Sequence, residues 1–174
     1  MPRENPKPEE GPAWMIYPGL HEEVAEKLEE FQLDYSFNLN DDDVSKVRHY
    51  DTHIMGRFAC NNKKCKKSGW STKQLAITIR EYTRDRYNAR VYLQRCKRCK
   101  SLGQLKLNEE SYIDRVAYRI KKWNGIEMEL PMWSRTSERP HEEDLCEGCA
   151  DGHCAERGFG RIELVPGDGV NHDK

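Results

Sequence analysis

Seven cysteines constrain this chain more than any other feature. Cys60, Cys65, Cys96, Cys99, Cys146, Cys149 and Cys154 fall in close groups, and His141 stands just before the last of them. A pair of cysteines two to four residues apart can present two thiolates to one ion, and zinc takes four such sulfur or nitrogen donors in a tetrahedron. Eight donors therefore suit two closed Zn2+ sites. An odd number of cysteines rules out a complete disulfide set, and with the polar start Met1-Pro2-Arg3-Glu4-Asn5-Pro6 no secretory signal is expected. Thioredoxin-type redox chemistry needs one Cys-x-x-Cys between a strand and a helix, not pairs spread along the chain. A zinc deaminase is disfavoured because only two residues separate Glu143, in His141-Glu142-Glu143, from Cys146.

Metal clips also answer a problem of composition. Of the 174 residues 36% are hydrophobic and 34% charged, a thin supply of core for that length. Metal binding is then expected to supply folding energy that burial does not. No apolar run approaches the roughly 20 residues that span a bilayer, so the expectation is an intracellular protein in a reducing compartment, cytoplasmic before nuclear.

The net charge of −1 hides a strong separation. Residues 1–56 hold five basic and thirteen acidic side chains, a net −8. Residues 57–106 hold fifteen basic against Glu81 and Asp85 alone, a net +13, and residues 107–174 return to −6 with nine basic and fifteen acidic. The block carrying the first four cysteines should attract a polyanion or an acidic protein, unless the acidic ends of the same chain neutralise it.

In chain order, residues 1–13 hold four prolines among charges and read as a disordered N-terminal tail. Trp14 to Tyr17 form a packing anchor. The spacing of Leu20, Val24, Leu28 and Phe31 predicts an amphipathic helix. Asp41-Asp42-Asp43 lacks the ligand spacing of a calcium loop and reads as a solvated turn or helix start. His49 and His53, four apart, would share a helix face and are not preferred as ligands.

Met55 to Cys60 predicts a strand delivering Cys60 to a turn. Leu75 to Ile79 with Tyr82, and Ala89 to Leu93, predict a β-hairpin around an Arg84 to Asn88 turn, running on into Cys96-Lys97-Arg98-Cys99. Asn108 should cap a helix that Gly125 ends, with Ile113, Val116, Ala117, Ile120 and Trp123 on its apolar face. The expected organisation is one α+β domain over residues 14–154, a small zinc-ribbon-like antiparallel sheet with flanking helices and two structural zinc sites. A flexible tail is expected over residues 155–174.

Gly56-Arg57-Phe58-Ala59-Cys60, Gly69-Trp70-Ser71, Gln94 through Cys99, and Pro140-His141 through Cys146-Glu147-Gly148-Cys149 to Gly152-His153-Cys154 together resemble the 3CxxC-type zinc-finger family. That group includes receptor-transporting proteins, RNA-associated zygote-arrest proteins and fungal members, to which the chain looks most similar. Two departures stand out. Cys60 and Cys65 are separated by four residues instead of two, and no hydrophobic C-terminal anchor like that of receptor-transporting members is expected.

The simplest ligand split follows chain order, Cys60, Cys65, Cys96 and Cys99 for one ion and His141, Cys146, Cys149 and Cys154 for the other. An interleaved pairing stays open, and His153 competes with His141 as nitrogen donor.

Function is expected to be non-enzymatic, because both sites are closed to water and substrate. RNA binding is the leading reading: Arg84, Arg86, Arg90, Arg95, Lys97 and Arg98 would hold phosphates while Trp70, Tyr82, Tyr87 and Tyr92 offer faces to bases. The alternative is a protein adaptor or chaperone helper for membrane-protein clients, as the receptor-transporting members imply. No small-molecule substrate and no transmembrane segment are expected.

Overall fold

The computed structural model describes residues 11–66, 68–129 and 141–155. The expected tails and the link through Trp133 fall largely outside them.

Alternation of side chains builds one curled sheet. β1 (Trp14–Met15), β5 (Arg86–Tyr92), β4 (Trp70–Tyr82), β3 (Arg48–Cys60) and β6 (Gly103–Leu107) pair antiparallel in that spatial order, and β2 (Ser36–Phe37) runs parallel to the start of β5. Among the described residues the outer edge of β6 pairs with no strand. β3 starts at Arg48, well before the expected Met55, because Thr52, Ile54, Gly56 and Phe58 carry a period of two into the core. His49 and His53 therefore lie on a strand, not a helix. The hairpin turn is tighter than expected: Thr83 to Asp85 close it, with φ of 63° at Arg84 and 50° at Asp85, so Tyr87 and Asn88 belong to β5.

On one face, Ile54, Phe58, Leu75, Ile77, Ile79, Ala89 and Val91 meet two helices. α1 (His21–Glu29) contributes Val24 and Leu28, and α2 (Glu109–Trp123) contributes Tyr112, Val116, Ala117 and Ile120. The Asn108 side chain accepts from the Ser111 N–H at 2.9 Å, and Gly125, at φ 76°, follows the helix end.

The opposite face is polar yet covered. His49, Asp51 and His53 of β3 stand in register with Arg80, Thr78 and Ala76 of β4. The loop Asn38 to Asp43 lies across this face. The Asn88 amide donates to the carbonyls of Asn38 and Asn40, and Asp41 accepts from Arg80, from Arg90 at 2.8 Å and from Trp14 at 2.7 Å. Asp41 is thus a clamp, whereas Asp42 accepts from the Val44 and Ser45 N–H groups in an exposed turn of the kind its composition suggests. Burial works to raise the Asp41 pKa, but hydrogen bonds from Arg80, Arg90 and Trp14 outweigh it and hold the carboxyl below its ordinary value.

The Arg80 side chain is 0% exposed. Removing its partner leaves a buried charge with less compensation, so Asp41→Ala should cost about 3 kcal/mol. Urea denaturation of the zinc-loaded protein checks this: the midpoint should fall with the slope unchanged.

Candidate metal centre

The first cluster forms where β3 ends and where the chain leaves β5. Cys60 is the last residue of β3, and Cys65 follows in a turn closed by its N–H to the Asn62 carbonyl at 2.9 Å. Cys96 and Cys99 share a second turn, in which Lys100 adopts φ 62° and donates to the Cys96 carbonyl at 2.8 Å. The sulfurs of Cys60 and Cys99 are 3.4 Å apart and those of Cys65 and Cys96 3.9 Å, with all four within 4.8 Å of one another. A tetrahedron with Zn–S bonds near 2.3 Å has edges of about 3.8 Å, so the four sulfurs fit one zinc ion. The four-residue spacer does not keep Cys65 away.

The second cluster is more deeply buried. Cys146 precedes α3 (Glu147–Ala150), Cys149 lies within it, and Cys154 follows a turn made by Gly152 at φ 78°. All three are at most 4% exposed, packed with Ala76 and Tyr92 on the polar face of the sheet. His141 Nε2 lies 3.3 Å from Cys149 Sγ and 3.4 Å from Cys154 Sγ, close to the edge of about 3.6 Å expected for one nitrogen and one sulfur on a shared zinc. The donors group by chain order, and the interleaved alternative does not occur. His153 turns away to Asp51.

The thiols are tuned for metal. Hydrogen bonds from Ser101 lower Cys99 to about 6, and contact with Cys154 lowers Cys146 to about 4 with help from His141. Burial and the Cys146 charge push Cys149 up to about 12. A divalent cation would offset that repulsion with every thiol ionised, so binding it releases the remaining protons.

His53 was not preferred as a ligand, yet its Nε2 lies 3.4 Å from Cys154 Sγ, at the rim of the second cluster. The signal was the alternation of His49, Asp51 and His53 along one strand face.

The six cations expected to gather on one RNA-binding surface do not. Arg84 and Arg86 sit at the hairpin turn, whereas Arg95, Lys97 and Arg98 sit beyond the other end of β5, about 30 Å away at strand rise. Arg90 is 12% exposed and held by Asp41. Arg95 pairs with Glu147 at 2.5 Å and Lys97 with Glu142 at 3.2 Å. The acidic C-terminal segment thus neutralises part of the basic block. Tyr82, Tyr87 and Tyr92 are at most 2% exposed, and half-buried Trp70 stacks on Phe58 at 5.0 Å, so these rings are core instead of platforms for bases.

The sequence matches the model of the 3CxxC zinc-ribbon family, described as a zinc-binding domain, over residues 53–152, more than half the chain. The chain belongs to this zinc-binding domain family. No curated protein and no solved structure matches it. With two donor clusters of near-tetrahedral spacing, the zinc-binding domain takes two Zn2+ ions. Among the described residues no helix is long and apolar enough to cross a membrane.

Cobalt substitution should give two equivalents with thiolate-to-cobalt charge transfer, and a strong chelator should unfold the domain, read by loss of near-ultraviolet circular dichroism. A second test concerns Gly148, where an added Cβ would come 2.5 Å from the Ala76 Cβ. Gly148→Ala should cost about 1–3 kcal/mol and weaken the second metal equivalent more than the first, and adding Ala76→Gly should restore it.

Proposed function

We propose that this zinc-binding domain is a non-enzymatic RNA-binding module, with ligand sets Cys60, Cys65, Cys96, Cys99 and His141, Cys146, Cys149, Cys154, and that its contact surface surrounds the first zinc cluster. The observation that carries this is a set of exposed cations on the two cysteine turns and the neighbouring strand: Arg57, Lys63, Lys64, Lys66, Arg98 and Lys100. Among the described residues none of them pairs with a carboxylate, in contrast to Arg80, Arg90, Arg95 and Lys97. Six positive charges outweigh the formal −2 of a zinc tetrathiolate. Flexible lysines without exposed aromatic partners suit phosphates more than bases, so binding should depend steeply on salt and little on sequence. The resemblance of the cysteine motifs to those of RNA-associated zygote-arrest proteins points the same way.

The adaptor reading keeps one observation of its own. An open groove of about 610 Å³ lies between Met15 and Tyr17 on one side and Leu105 to Glu110 on the other, beside the free edge of β6. An extended client segment could add there as a further strand. Pull-down from nuclease-treated extract separates the readings, since partners that survive RNA removal favour the adaptor.

For single-stranded RNA, four phosphate contacts would give a log–log salt slope of about −3. Filter binding should show it, and Lys63→Glu with Lys64→Glu and Arg98→Glu should flatten it. Arg84→Glu with Arg86→Glu, at the far hairpin turn, should change nothing. Salt-independent binding, or a larger loss from the hairpin pair, would overturn the proposal.

A further inference from the structure

We propose that His49, Asp51 and His153 form a third divalent-metal site, separate from the two thiolate clusters, built of two imidazoles and one carboxylate and keeping an open coordination position. This goes beyond the RNA reading and does not depend on it. The donor atoms of the three residues all lie within 4.8 Å of one another. The donors come from one face of β3 and from the residue before Cys154, so the second zinc cluster brings the third side chain to the other two.

Spacing separates a shared ion from a shared proton. His153 Nδ1 lies 3.3 Å from both carboxylate oxygens of Asp51. A charge-assisted N–H to carboxylate bond closes to about 2.7–2.9 Å, on one oxygen or the other. Two ligands on a tetrahedral zinc, with bonds of about 2.0–2.1 Å, stand about 3.4 Å apart. The Asp51–His153 spacing matches the second pattern, as do the His141 contacts in the adjoining thiolate cluster at 3.3 and 3.4 Å.

The surroundings hold these donors in place. Thr78 Oγ1 donates to Asp51 Oδ1 at 2.7 Å, which orients the carboxylate while both of its oxygens stay 3.3 Å from His153 Nδ1. The Tyr92 ring lies nearly parallel to that of His153, at 6.3 Å and 11°, and the His49 ring meets it edge-on at 5.4 Å. Hydrogen-bonded carboxylates and fixed ring planes are what outer partners supply at metal sites. Arg80, the cation opposite His49 in the register, is already engaged by Asp41 and Asp43. Without sulfur, the donor set suits Zn2+, Co2+ or Fe2+ and disfavours Cu(I). Three protein ligands leave room for water or an exogenous ligand, which the two four-donor clusters do not.

The test uses the full chain carrying two equivalents of Zn2+, dialysed to equilibrium against Co2+ and separately against further Zn2+. A third equivalent should bind, and with Co2+ the visible spectrum should change without growth of the thiolate charge-transfer band. Asp51→Asn, which keeps the Thr78 hydrogen bond, should lose that equivalent and retain both tightly held Zn2+ ions, and His49→Gln should do the same. In the parent, imidazole nitrogen resonances of His49 and His153 should shift on addition of the third equivalent. Saturation at two equivalents overturns the proposal, as does a third that survives both substitutions. It is equally overturned if Asp51→Asn sheds one of the two tightly held ions, because the residue would then serve the Cys154 cluster.

Discussion

The short stretch from Leu93 to Cys96 is the constraint on which both metal clusters depend. On one side it pairs with the start of β6, through the Gly103 N–H to the Gln94 carbonyl at 2.9 Å and an Arg95 to Leu102 bridge. On the other it pairs with the second cluster, through the Arg95 N–H to the Leu145 carbonyl at 2.8 Å and the Glu147 N–H to the Leu93 carbonyl at 3.1 Å. It then delivers Cys96 to the first cluster. Ladder hydrogen bonds therefore fix the two ions relative to each other, and distortion at either one is felt along this strand. In a chain with so little apolar material, that arrangement joins two local metal clips into one cooperative unit.

Charge follows the same economy. The central block is strongly basic as a sequence, but Arg80, Arg90 and Arg95 are held by Asp41 and Glu147, and Lys97 pairs with Glu142 at the surface. The acidic loop and the C-terminal cluster together cover the part of this sheet face around His49, Asp51, His53 and Arg80, so a guanidinium group and imidazoles sit where a two-layer fold would ordinarily place aliphatic residues. Buried charges of this kind are tolerated only with partners at fixed geometry. What is left outside is concentrated at the cysteine turns.

The helices, the hairpin and the grouping of cysteines were legible in the sequence because each has a local cause: periodic apolar residues, the Asn108 cap, the short Cys-x-x-Cys spacing. The first half of β3 was not. Its His49 and His53, four apart, suggest a shared helix face until the C-terminal cluster, about a hundred residues away, is laid over the strand. The fate of the arginines was hidden for the same reason, since pairing across such separations leaves no periodic trace. Tyr82, Tyr87 and Tyr92 looked available for stacking because their spacing on a hairpin does not say which faces are covered.

β6 carries a further implication for how the protein behaves at high concentration. Its outer edge is open among the described residues, the ordinary invitation to strand-by-strand self-association. Arg57 and Lys106 stand opposite each other in the β3–β6 register, a like-charge pair that costs the sheet a few tenths of a kcal/mol. The incoming strand of a second copy in the same register would meet that double charge. The strand is also only five residues long. Repulsion and brevity together work against self-pairing of two copies at this edge, at a small cost to the sheet's own stability.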